Sequence, residues 1–189
     1  GVVSGMNEHG LAITLNAGAS QDYRRVGTPT GFLVRRALEQ ARNINEAIKV
    51  LTSSPTFVTD IISLADATGN VAVLELTPSQ FGIREGEIIA STNHLESTTL
   101  VDDPVSLKRQ IQTTTVPRRQ RLESIVQGLP RQVGPEELLK ILRDRKNTLG
   151  VPFPPGHRHS IDALIATHSV IFDATARKIW VSQGPHTLG

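Results

Sequence analysis

Gly5-Met6-Asn7-Glu8-His9-Gly10-Leu11-Ala12-Ile13-Thr14-Leu15-Asn16-Ala17 decides how this chain is read. Asn7 and Gly10 bracket a polar loop and both tolerate positive φ, while Leu11 to Leu15 has the apolar, β-rich character of a buried strand. Val2-Val3 on the other side offers a partner strand, since two apolar runs around a Gly- and Asn-containing loop are a hairpin signal. Asn16 then falls where a strand ends. From there a side-chain amide can be aimed into a cleft, although Asn also serves at strand ends as a plain turn residue. The stretch has the character of an enzyme interior, and its place at the start of the chain leads to the expectation of further polypeptide upstream.

Outward from this hairpin, a polar loop over Ser20 to Gly27 leads to a helix capped by Thr28 or Thr30, with Phe32, Leu33, Ala37, Leu38 and Ala41 as its apolar face. A second helix is expected over Asn45 to Leu51, with Asn43 or Asn45 as cap. The pattern then changes to strands at Thr59–Asp66, Val71–Leu76, Phe81–Arg84 and Ile88–Thr92, joined by short Gly-containing turns, which makes an antiparallel meander. Leu95 to Thr115, rich in Ser and Thr and without periodicity, is expected to be a mobile loop on the substrate side. Helices follow from Pro117 through Val126 and over Gly134–Arg143, the latter with Pro and two acids at its start and basic residues near its end. Pro152-Phe153-Pro154-Pro155-Gly156 reads as a rigid loop before a last strand pair, Ser169–Asp173 and Lys178–Ser182. Strands, helices and strands in this order give a layered α+β fold with antiparallel sheets.

The 189 residues suit one domain, residues 1–189, and no apolar run reaches the ~20 residues of a membrane-spanning helix. Twenty basic against 18 acidic side chains is a near balance that gives no reason to expect a nucleic-acid partner. The one basic cluster, Arg118-Arg119-Gln120-Arg121, has no interleaved aromatics and reads as a solvated helix face. Cysteine is absent, which removes disulfides, thiolate metal sites and a cysteine nucleophile from these residues and leaves the compartment open.

Several segments together resemble the acyl-coenzyme A:isopenicillin N acyltransferase-like family, related to the choloylglycine hydrolases among the N-terminal-nucleophile hydrolases. They are Gly5 to Leu11 with Asn16, Pro29 to Arg36, Leu64 to Gly69, Ser91-Thr92-Asn93-His94, Thr115 to Leu122, and Ser169 to Asp173 followed by Ile179-Trp180-Val181 and Gly184-Pro185. The resemblance implies an αββα sandwich, incomplete here at its N-terminus, and cleavage or transfer at an amide or acyl bond. It also implies a nucleophilic cysteine freed by self-cleavage whose own α-amino group, with a pKa of ~8, acts as base. That residue belongs upstream of Gly1, so the chain by itself is expected to be inactive. By the same resemblance Asn16 and Asn93 donate to the oxyanion and Arg118 orients and stabilises charge, with Arg119 and Arg121 as alternatives in register. His94 is expected to shape the substrate pocket rather than move protons. No metal or organic cofactor is implied, although coenzyme A could serve as acyl donor. The partners implied are a small amide or acyl substrate and the missing N-terminal segment or a companion chain.

Two other classes remain in view. His157, His159 and His168 offer imidazoles, but His157 and His159 fall on alternate sides of an extended chain and no H-E-x-x-H spacing accompanies them. No Gly-x-Ser-x-Gly elbow is present. The non-enzymatic alternative is an inactive fragment, or a homologue that binds acyl ligands without turning them over.

Overall fold

The computed structural model describes residues 1–130, 132–166 and 168–182. Its N-terminal hairpin pairs β1 (Ser4–Met6) with β2 (Ala12–Ala17), Ser4 facing Thr14 and Met6 facing Ala12. Asn7 locks the loop between them: its Oδ1 accepts from the backbone N–H groups of His9 (3.0 Å) and Leu11 (3.1 Å), and its Nδ2 donates to the carbonyls of Leu38 (3.0 Å) and Ala41 (2.7 Å). One amide thus closes the turn and satisfies carbonyls freed at the end of the first helix. Gly10 sits at φ +80, and a Cβ there would collide with the carbonyl oxygen of Ala174, so the loop is pressed against the C-terminal part of the chain.

β2 pairs with β3 (Asp60–Ala65), which pairs with β4 (Val71–Leu76), which pairs with β5 (Phe81–Glu85), every neighbour antiparallel and in chain order. The expected α+β class with antiparallel sheets is the fold the chain adopts. α1 (Thr30–Gln40) and α2 (Ile44–Leu51) cover one face, where Leu33, Val34, Ala37 and Leu51 meet Ile13, Ile62, Leu64 and Leu74. Asn43 caps α2, its side chain accepting from the N–H of Glu46. α1 has no side-chain cap; Thr30 lies inside its first turn and its hydroxyl donates to the buried Asp60 carboxylate at 2.6 Å instead. The apolar stripe is shifted from the expected one: Phe32 is 55% exposed and Val34 is buried in its place.

The opposite face of the sheet carries Ala12, Thr14, Ser63, Ala65, Val71 and Val73, the alternate residues of each strand. At one end Ile61 and Val73 are covered by Leu95, Leu100 and Ile89. Two expectations fail there. Ile88–Thr92 is not a strand, because Ile89 turns in to pack on that apolar cluster and the chain leaves the sheet after Glu85. Leu95 to Thr115 is not a loose loop either: Leu95, Leu100 and Ser97 are buried, and it contains α3 (Pro104–Gln112), capped by Asp103. Its Ser and Thr content reflects internal anchoring, such as the Ser106 hydroxyl accepting from the N–H of Leu95 at 2.9 Å.

α4 (Thr115–Gln127) begins two residues before Pro117, and α5 (Pro135–Leu142) follows. A second, two-stranded sheet pairs β6 (Val170–Asp173) with β7 (Lys178–Val181). β6 and α5 stand across a groove of about 470 Å³ from the first sheet, lined by Ala12, Thr14, Ser63, Leu138, Ile141 and Ile171 among others. Among the described residues no helix is long and apolar enough to cross a membrane. The Gly184-Pro185 segment of the sequence resemblance lies outside the described residues.

Candidate functional site

Asn16 occupies the penultimate position of β2, on the strand face that also carries Ala12 and Thr14. Its side chain is exposed, and its amide makes no hydrogen bond among the described residues. Asn93 meets the same strand end: its Nδ2 donates to the carbonyl of Ala17 at 2.8 Å. Strand pairing and a single cross-link therefore place two residues 77 positions apart in sequence at one end of β2.

Asn93 is held on every side. Its backbone N–H donates to the Thr115 hydroxyl at 2.8 Å, and its side-chain oxygen accepts from Arg118 Nη2 at 2.7 Å. Because the guanidinium takes the oxygen, the amide cannot flip, and its nitrogen must face the Ala17 end. One of its two N–H bonds goes to Ala17, leaving the other for a ligand. Arg118 in turn donates through Nε to the Thr114 hydroxyl at 3.2 Å. Of the three competing arginines, then, Arg118 is the one that touches Asn93. Arg119 reaches Glu96 and Glu123, and Arg121 forms a two-point pair with Asp144 (3.0 and 2.6 Å). The cluster is not the solvated helix face expected from composition, since the Arg119 and Arg121 side chains are only 14% and 15% exposed. Their acid partners come from distant parts of the chain and leave no trace in the local sequence.

His94 follows Asn93 in the chain and is buried. Its Nδ1 is 2.9 Å from the Thr115 hydroxyl and 3.1 Å from that of Thr92, while Nε2 faces Glu96 at 3.9 Å. Burial lowers its pKa below 6.5, opposed by Glu96 and assisted by Arg119 and Arg84. In the neutral form Nδ1 accepts from Thr115, whose oxygen remains free to receive the Asn93 N–H. A histidine with a depressed folded pKa contributes stability that is complete above the unfolded value of about 6.5 and is lost as pH falls through the folded value. The His94 ring should therefore titrate with a midpoint below 6.5 in an NMR pH series. Stability should decline over the same range, and His94→Gln should remove that acid limb; a midpoint at or above 6.5 would contradict the assignment.

Sequence reasoning missed Glu75 and Thr115. Glu75 is fully buried, and its carboxylate accepts from the backbone N–H groups of Glu96 (2.9 Å) and Ser97 (3.0 Å), the Ser97 hydroxyl (2.7 Å) and Arg84 Nε (3.1 Å). It thus clamps the loop that carries Asn93 to β4. Gly82 makes the room, since a Cβ there would collide with Ser97 Oγ. A signal was present in Val71-Ala72-Val73-Leu74-Glu75-Leu76, where one charge interrupts an otherwise apolar buried strand.

His157 and His159 do not point to alternate sides. The segment turns, and their ring centroids lie 5.3 Å apart, with Phe153 stacked on His157 at 4.4 Å. His168 is elsewhere, 3.3 Å from the Ser4 hydroxyl. Among the described residues no group of three or more His, Cys, Asp or Glu side chains is placed to hold a metal ion.

Comparison with known proteins adds a family. The family model described as acyl-coenzyme A:6-aminopenicillanic acid acyl-transferase matches residues 1–186. No curated protein matches. Among solved structures, the chain is similar to penicillin V acylase from Agrobacterium tumefaciens at 21% identity and a TM-score of 0.49, covering 72% of this chain and 48% of that one. It spans about half the length of that protein.

Proposed function

Because the chain belongs to the acyl-coenzyme A:6-aminopenicillanic acid acyl-transferase family, we propose that it supplies the oxyanion-binding and pocket part of an N-terminal-nucleophile amide hydrolase or acyltransferase. In the complete enzyme a nucleophile from polypeptide outside these residues attacks the carbonyl of an amide or thioester. By analogy with the family resemblance it is a cysteine freed by self-cleavage. Its thiol proton passes through the α-amino group to the leaving amine or thiolate, and the acyl-enzyme is then resolved by water or by an acceptor amine. Asn16 and Asn93 donate to the tetrahedral oxyanion, and Arg118 fixes the orientation of Asn93. The observation that carries this reading is the Arg118–Asn93–Ala17 chain of hydrogen bonds, which holds a rigid amide donor at the end of β2 beside the uncommitted amide of Asn16. Preorganised donors of this kind are what an acyl-transfer transition state requires.

The alternative reading is a homologue that binds acyl ligands without turning them over. Intact mass and N-terminal sequencing of the protein from its source, followed by incubation with a p-nitrophenyl acyl ester, separate the two. A companion piece or longer chain with an N-terminal cysteine that gains the acyl mass supports the enzyme. Ester binding with no covalent adduct on any chain supports the binding homologue and overturns the enzymatic proposal.

A further inference from the structure

Thr92, His94 and Thr115 are all buried, and their polar atoms meet at the backbone of Asn93. The Thr115 hydroxyl oxygen is the junction. The Asn93 N–H donates to it at 2.8 Å, the Thr92 hydroxyl lies 2.8 Å from it, and His94 Nδ1 lies 2.9 Å from it. The Thr92 hydroxyl also stands 3.1 Å from Nδ1 and donates to the Thr115 carbonyl at 3.0 Å.

The number of available protons gives these bonds a direction. Nε2 of His94 faces the Glu96 carboxylate at 3.9 Å, so the neutral ring keeps its proton there and Nδ1 accepts. Thr92 has the Thr115 carbonyl to donate to, which leaves the Thr115 proton for Nδ1. A hydroxyl that donates is polarised into a better acceptor, so the run from Asn93 N–H through Thr115 O–H to His94 Nδ1 strengthens itself. Protonation of His94 reverses the run. Nδ1 becomes a donor, the Thr115 proton turns to Thr92, and the Thr115 oxygen receives two N–H groups where it had received one. Asn93 then shares its acceptor with a cation, and its hold weakens.

Several charges face the ring. Burial, the largest influence, lowers its pKa below 6.5; Glu96 on the same loop favours the cation, Arg119 from α4 and Arg84 from β5 oppose it, and Glu75 from β4 favours it. The ring is therefore neutral at pH 7 and accepts from Thr115.

We propose that His94 is a positioning residue for the Asn93 donor, acting through the Thr115 hydroxyl, and that the neutral imidazole is the form that supports acyl transfer. This rests on the reading of Asn93 as an oxyanion donor, and it gives the histidine a task other than shaping the substrate pocket.

Two readouts test it. In the ¹⁵N-labelled chain the Asn93 backbone amide proton should move upfield as pH falls, with the same midpoint as the His94 ring, and Thr115→Ser should preserve this. In Thr115→Val the ring still titrates next to Asn93 in sequence, yet the amide should no longer follow it. In the complete enzyme at neutral pH, His94→Leu should lower kcat about tenfold with KM unchanged, the cost of a donor held less closely in place. His94→Asn sets an amide oxygen near the place of Nδ1 and should recover most of that loss. It should also lose less activity than the parent as pH falls below the His94 midpoint. An Asn93 amide that ignores His94 in the parent, one that follows it equally in Thr115→Val, or a His94→Asn variant as slow as His94→Leu overturns the proposal. The amide is read without turnover, so its result stands apart from whether an acyl-enzyme forms.

Discussion

Asn93→Ala should lower kcat of the complete enzyme about 10²–10³-fold with little change in KM, the loss expected when one preorganised donor to an oxyanion is removed. The geometry explains why the effect falls on kcat. Asn93 is held by Thr115 at its backbone and by Arg118 and Ala17 at its two amide ends, so in the proposed mechanism its remaining N–H acts only when charge develops on the substrate. Asn93→Asp is the sharper version, because it keeps the shape and the Arg118 partner while putting an acceptor where a donor is needed. Steady-state kinetics on both variants, with fold confirmed by circular dichroism, decide it. A fall in kcat/KM carried entirely by KM would make Asn93 a substrate-binding residue rather than an oxyanion donor.

Glu75→Ala should produce the largest change in stability, a loss of about 3–5 kcal/mol in chemical denaturation, the range for removing one member of a buried, hydrogen-bonded charge pair. The carboxylate has no exposed surface, and its removal strands Arg84 Nε, two backbone N–H groups and the Ser97 hydroxyl in the interior. Glu75→Gln should be milder, retaining one acceptor oxygen. Amide exchange adds a local reading: Glu96 and Ser97 should lose protection in both variants, while β2 and β3 keep theirs in Glu75→Gln. An alanine variant as stable as the parent would show that the clamp contributes nothing.

Much of this architecture was legible because it is local. The β1–β2 hairpin, the meander through β5, α2 with its Asn43 cap and the last strand pair each announce themselves within a dozen residues, through alternation, turn residues or caps. The failures share a cause. Ile88–Thr92 has strand composition, yet Ile89 finds a better site on the cluster of Ile61, Val73, Leu95 and Leu100 than on the sheet edge. Polar residues from Leu95 to Thr115 look loose in sequence and are anchors in the fold, their partners Glu75 and Asn93 lying far off along the chain. Asn16 and Asn93 were identifiable as candidates through resemblance. That Arg118, rather than Arg119 or Arg121, touches Asn93 depends on which carboxylates capture the other two, and that is a three-dimensional fact.

The strand order of the first sheet also bears on how the site comes into being over time. β3, β4 and β5 are joined by short turns and close quickly, whereas the pairing of β2 with β3 spans the whole connection that holds α1 and α2. The strand bearing Asn16 is therefore docked only when that connection has folded back onto β3. Asn93 becomes rigid only when Thr115 and Arg118, more than 20 residues further on, reach it. Both candidate donors thus come into place only after distant parts of the chain meet, Asn16 across the α1–α2 connection and Asn93 across the stretch to Arg118.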